Sequence, residues 1–165
     1  MKFKRLLRHL LTPGLWMRRH FSLADRQAIE AAIRDSESHH RGELRFVAEG
    51  PLHLAALLHG TTPRQRAVEL FSQLRVWDTE ENSGILIYVQ LVDRKVEILA
   101  DRGIAAQVPQ AEWQRLCRGM EHHFAQGCYQ QGVLEALARA GELLTTNFPA
   151  TDNNPNELPD APLIL

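Results

Sequence analysis

Cysteine is nearly absent. Cys117 and Cys128 are the only two among 165 residues, and neither stands in a Cys-x-x-Cys or Cys/His ligand spacing. That excludes a disulfide framework and a thiolate zinc site, and leaves two reduced, partly buried thiols. No apolar run approaches the roughly 18–20 residues that a transmembrane helix needs. Leu10-Leu11 is cut short by Thr12-Pro13-Gly14 and followed by Arg18-Arg19, a poor fit to a secretory signal. The expected location is therefore the cytoplasm. Acid is missing from residues 1–20, which carry six bases: Lys2, Lys4, Arg5, Arg8, Arg18 and Arg19. The remainder holds 13 basic against 20 acidic residues, a balance of −7. So acidic a body argues against general nucleic-acid binding, which depends on neutralising phosphates.

What is present centres on residues 75–103, RVWDTEENSGILIYVQLVDRKVEILADRG. Two β-rich runs, Ile85–Val89 and Val96–Leu99, are separated by a short polar break at Asp93-Arg94-Lys95 and predict a β-hairpin. The first run is apolar at nearly every position, which predicts a central strand covered on both faces. Pairing the runs places the acidic loop before Gly84 and the Asp101 loop at one end of the sheet, with Asp93-Arg94 at the other.

Elements predicted on either side make one domain with tails. Ser22 and Asp25 form a capping-box-like start to a helix with Leu23, Ala28, Ile29, Ala32 and Ile33 on its apolar face, ending near Asp35. Glu43–Glu49 alternates and predicts a strand. Pro51–Gly60 suggests one or two helical turns. Thr62 and Pro63 start the next helix, with Ala67, Val68, Leu70, Phe71 and Leu74 inward. Residues 104–108 read as a connection with room for a short strand. Pro109 opens a helix bearing Trp113, Leu116, Cys117, Met120 and Phe124, which Gly127 breaks. A last helix, about Tyr129 to Thr145, turns Val133, Leu134, Leu137, Ala138 and Leu144 inward. The proline- and asparagine-rich tail from Pro149, with three acids and no base, predicts disorder. Strands interleaved with helices predict a layered α/β domain, α/β/α, around a small mixed central sheet. The division is a basic N-terminal segment, residues 1–20, a domain over 21–148 and an acidic tail over 149–165.

Within the N-terminal segment, KFKRLLRHLL places Phe3, Leu6, Leu7 and Leu10 at helical spacing among bases, with Trp16 and Met17 beyond the Pro-Gly break. Two readings stay open. The segment lies on an anionic membrane surface, weakly and reversibly, or it docks on the body or frays.

The stretch from Ala67 to Gly103 carries Leu70-Phe71 near a helix end, an acidic -NSG- before a buried strand, DRKVEI, and a terminal RGI. With Phe124-Ala125-Gln126-Gly127-Cys128-Tyr129, it resembles the TPM-domain family over roughly residues 21–146. The resemblance implies an α/β/α domain. It also brings phosphatase activity ascribed to a plant member, calcium binding ascribed to several, and export or membrane anchoring in most. Two features depart from the family. Ser83 intervenes where Asn-Gly is usual, and Arg18-Arg19-His20-Phe21 offers no carboxylate before the first helix.

Asp78, Glu80, Glu81, Asn82 and Asp101 are the candidate metal ligands, oxygen donors suited to calcium or magnesium but without EF-hand spacing. The opposing reading is a solvated acidic loop paired locally with Arg75 or Arg102. A metal-dependent phosphatase would use Asp78, Glu81 and Asp101 as ligands and Arg102 as the phosphate clamp. No cysteine or aspartate nucleophile motif supports a metal-free one. His39-His40 and His122-His123 are expected at the surface, because adjacent helical side chains diverge by about 100°. The leading expectation is a non-enzymatic accessory domain that meets an unidentified protein partner or a membrane surface, with a divalent cation as an option.

Overall fold

The computed structural model describes residues 2–13, 17–152 and 154–165; Gly14 of the Pro-Gly break, Trp16 and tail residue Asn153 lie outside them. Chain order is α1 (Lys2–Leu11), α2 (Met17–His20), α3 (Leu23–Glu37), β1 (Glu43–Glu49), α4 (Leu54–His59), α5 (Pro63–Gln73), β2 (Gly84–Gln90), β3 (Lys95–Ala100), α6 (Arg102–Ala105), α7 (Gln110–Ala125), α8 (Tyr129–Asn147) and β4 (Leu163–Ile164). The sheet runs β3-β2-β1-β4. β1 and β2 are parallel, with Glu43 opposite Gly84 and Glu49 opposite Gln90, so α4 and α5 form the crossover between them. β2 and β3 make the expected antiparallel hairpin, from Ile85 opposite Ala100 to Gln90 opposite Lys95. The mixed sheet flanked by helices is the architecture expected.

Strand alternation sorts the core into two layers. Leu44, Phe46 and Ala48 of β1 and Ile85, Ile87 and Val89 of β2 face α3, α7 and α8, where they meet Ile29, Ile33, Trp113, Phe124, Val133 and Leu137. Val47, Leu86, Tyr88 and Leu99 face the other way, onto Ala67 and Leu70 of α5, Val76 and Leu158. Both predicted helix starts are present as full capping boxes, Ser22 with Asp25 and Thr62 with Gln65. α5 is further fastened by a buried polar cluster. Arg66 grips Glu49 at 2.8–3.1 Å, and the Tyr88 hydroxyl donates to the same carboxylate at 2.6 Å.

Four expectations need correction. Val68 and Ala138 face outward, Val68 half exposed, while Gly132, Ala136 and Ala140 are buried on α8. Residues 104–108 contain no strand; Asp101 caps a short helix there instead. His40 is fully buried, its Nε2 2.8 Å from Ser36 Oγ, and burial lowers its pKa to about 4. The tail is ordered over its described residues. β4 pairs parallel to β1, with Val47 opposite Leu163, and Leu158 and Asp160 are buried. Composition misled because the tail is held by side chains far away in sequence. Arg45 donates to the carbonyls of Pro159 and Ala161 at 2.6 Å, and Glu43 accepts from the amides of Glu157 and Leu158.

Candidate functional site

Backbone geometry brings the two acidic loops together. Gly103 donates to the Asn82 carbonyl at 3.0 Å and Asp101 to the Gly84 carbonyl at 2.8 Å, with Asn82 itself in the left-handed region at φ 54°. Gly84 is required there: a Cβ on it would lie 1.8 Å from the Val76 carbonyl oxygen. Ser83, the departure from the family pattern, is buried; its amide donates to Thr79 Oγ1, and its carbonyl accepts from Glu43 where β1 begins.

The five candidate ligands do not share one point. Glu81 is drawn away by Arg41, whose Nη1 lies 2.5 and 2.6 Å from its two oxygens. Asn82 Oδ1 accepts from Arg102 Nη2 at 3.1 Å, so the expected phosphate clamp is engaged with an expected ligand. Asp101 Oδ1 caps α6 by accepting from the Arg102 amide at 2.7 Å, while its Oδ2 is buried without a partner. Asp78 and Glu80 are exposed. Asn82, Asp101 and Arg102 are thus assembled, and Asp78, Glu80 and Glu81 are not. Among the described residues, no group of three His, Cys, Asp or Glu side chains is placed to hold a metal ion.

A second carboxyl group of residues lies beside the tail, and sequence reading missed it. Glu37 ends α3, where an acid opposes the helix dipole. Its Oε1 accepts from the Leu44 amide at 2.7 Å, and it is only 7% exposed. Burial, with Glu43 and Asp160 nearby, pushes its pKa up to about 8. Glu43, 3% exposed, is raised by burial as well. The available signal was Glu43 itself, a charged residue opening a strand otherwise read as core.

The third feature is α1. Its basic side is turned inward, to the β2–β3 turn. Arg5 holds the Asp93 carboxylate at 2.7–3.0 Å, Arg8 reaches it at 2.9 Å, and His9 Nε2 lies 3.2 Å away. His9 is buried and its Nδ1 accepts from the Leu52 amide, which places the ring proton on Nε2, toward Asp93. Burial alone would raise the Asp93 carboxyl, but the His9 and Arg5 hydrogen bonds outweigh it and hold the group well below the usual carboxylate range. The apolar stripe consequently faces out: Phe3 is 74%, Leu7 46%, Leu10 58% and Leu11 71% exposed. On α4, which α1 contacts, Leu54 and Leu58 are exposed too.

Comparison with known proteins agrees with this architecture. The NMR structure of the BA42 protein from the psychrophilic bacterium Bizionia argentinensis is similar at 28% identity and a TM-score of 0.77, over 88% of this chain and 95% of that one. The solution NMR structure of the N-terminal domain of a protein from P. gingivalis shares the fold, with 19% identity and a TM-score of 0.63, over 82% of this chain and 90% of that one. No curated protein matches. The family model for the TPM domain matches residues 18–143, most of the chain. The chain therefore belongs to the TPM-domain family.

Proposed function

We propose that this protein is a non-enzymatic accessory domain that settles peripherally on an anionic membrane surface through α1 and the adjoining α4. The observation that carries this reading is the inverted orientation of α1. A helix that merely docked on the body would bury its apolar stripe; here Arg5 and His9 face the body, and Phe3, Leu7, Leu10 and Leu11 are left to solvent. Contiguous exposed apolar surface on a soluble domain marks an interaction site. Charge argues for a membrane as occupant. Residues 1–20 carry six bases and no acid; Arg5 and Arg8 are engaged with Asp93, whereas Lys4 on α1 and Arg19 on α2 are exposed. No helix among the described residues is long and apolar enough to cross a membrane, which fits a helix lying in the interface. One such helix gives weak, reversible attachment.

The metal-dependent phosphatase draws less support, because Glu81 is paired with Arg41, Asp101 caps α6, Asp78 is exposed and Arg102 is held on Asn82. Vesicle co-sedimentation tests the membrane reading. The full chain should pellet with vesicles containing phosphatidylserine and not with pure phosphatidylcholine. Leu7→Ser with Leu10→Ser should abolish pelleting. An intact chain that stays in the supernatant with both vesicle types ends the membrane reading and leaves a protein partner as the occupant of this face.

A further inference from the structure

The segment from Pro149 onward lies beyond the matched TPM domain and runs along the outer edge of β1. After β4, Leu165 donates to the Ala48 carbonyl at 2.9 Å and accepts from the Gly50 amide at 3.0 Å. The middle of the segment is tied down through carboxyls. Glu43 accepts the Glu157 and Leu158 amides at 3.1 and 2.9 Å. Buried Asp160 accepts from Arg34 Nε at 3.2 Å on Oδ2 and from Asn156 Nδ2 at 2.6 Å on Oδ1. Against Asp160 stands the buried Glu37 carboxyl, in side-chain hydrogen-bond contact with it. Glu37 Oε1 is taken by the Leu44 amide, and among the described residues no N–H reaches its Oε2. An ionised carboxylate accepts and cannot donate, so two carboxyls share a hydrogen bond only when one of them carries a proton. Asp160 already accepts on both oxygens. The proton therefore sits on Glu37 and is donated across to the tail. The charged groups around the pair are Glu43 and Arg45 of β1, Asp152 and Glu157 of the tail, and Arg34 of α3. Arg34 is engaged with Glu30 and Asp160, and Arg45 with the Pro159 and Ala161 carbonyls; the rest are acids. His40, whose carbonyl also holds Asn154 of the tail, has its pKa at about 4 and stays neutral above pH 6.5.

We propose that the Glu37–Asp160 carboxyl pair is a proton-dependent latch on the C-terminal segment, which stays seated on β1 while Glu37 holds its proton and is released when that proton passes to water. Deprotonation sets two carboxylates against each other in a buried place, with Glu43 close by, and like charges there disfavour one another strongly. Glu37 and Glu43 belong to α3 and β1, which the core fixes, so the tail is the side that moves. Its release unpairs Leu163 and Ile164 from Val47 and Ala48, leaves the outer edge of β1 open, and withdraws Leu158 from its packing beside Val47 and Tyr88. Burial places the Glu37 pKa at about 8 against an ordinary 4.5. Seating is therefore complete below the ordinary value, weakens by up to about tenfold per pH unit as pH rises, and levels off above about 8.

Amide hydrogen exchange of the full chain, expressed as protection relative to the free-peptide rate at each pH, reads the latch. The Leu158 and Leu165 amides should be less protected than Ile87, because the tail opens without the rest of the fold. Their protection should fall by about tenfold or more between pH 6.5 and 8. The Glu37 carboxyl carbon, followed by NMR on the same unmodified chain, should titrate over that interval. Glu37→Gln keeps an acceptor for the Leu44 amide and an N–H for Asp160 but has no proton to lose, so its tail protection should not change with pH. Tail protection equal to that of Ile87 would mean that the segment opens only with the whole fold. That result, a flat pH profile in the native chain, a Glu37 carboxyl titrating at its ordinary value, or an unchanged pH slope in Glu37→Gln would each overturn the proposal. Vesicle binding through α1 does not depend on any of these outcomes.

Discussion

α1 and α3 are both amphipathic helices near the N-terminus, and they sit in opposite ways. α3 turns Ile29 and Ile33 into the core and leaves most of its polar side to water. α1 turns Arg5 and His9 onto the body and leaves Phe3, Leu7, Leu10 and Leu11 outside. The difference lies in what each helix finds beneath it. α3 lies over the apolar face of β1, whereas α1 meets Asp93, a carboxylate 6% exposed in its side chain that needs cationic partners. An apolar stripe in a sequence says that a face needs covering, and the fold decides whether the protein itself covers it.

The comparison can be tested by substitution. Ile33→Ala should cost the most, about 2–5 kcal/mol in urea unfolding, because it empties a packed position with little room to collapse. The same kind of truncation at Leu7 should change stability by less than about 0.5 kcal/mol, since the side chain packs against solvent. A comparable loss at both sites would mean that the α1 stripe is covered after all.

At the far end of α3, Glu37 should give a pH dependence. Its folded-state value of about 8 lies above the ordinary 4.5, so the folded chain holds a proton that the unfolded chain has lost. That stability is complete below the ordinary value and disappears as pH rises through about 8, a change on the order of a few kcal/mol. His40 acts in the opposite sense. Lowered to about 4 from 6.5, it weakens the fold as pH falls through that interval. Unfolding measured between pH 6.5 and 8 should therefore lose stability in the native chain and lose much less in Glu37→Gln. Parallel curves would contradict the buried, protonated carboxyl.

Asp93→Ala should cost about 1–3 kcal/mol, by leaving Arg5 and the buried His9 without their acceptor. It should also speed amide exchange throughout α1 while sparing α3. Ser22→Ala, which removes half of the capping box, should cost about 1 kcal/mol by thermal unfolding and leave α1 untouched.

Local signals carried much of the architecture. Alternation marked β1, the continuous apolar run marked β2 as central, and Ser22 and Thr62 marked helix starts, because each depends on neighbours within a few residues. The helical-wheel errors at Val68 and Ala138 arose where an apolar residue sits one position off the buried stripe. The tail was not legible, since its order depends on contacts across more than a hundred residues, such as Glu43 with Leu158 and Arg45 with Ala161. The acid-rich Asp78–Asn82 loop was conspicuous in sequence for the reason that makes it weak as a metal site. Runs of charge stay exposed or find a local partner, as Glu81 finds Arg41. Which way α1 would face could not be read either, because its orientation follows from Asp93, more than eighty residues away.

Amide hydrogen exchange of the full chain, with and without anionic vesicles, tests the central claim most directly. Slower exchange confined to Phe3–Leu11 and Leu54–His59 with phosphatidylserine vesicles, and absent with phosphatidylcholine alone, is the predicted result. Unchanged exchange across α1 and α4 in the presence of anionic vesicles would contradict it.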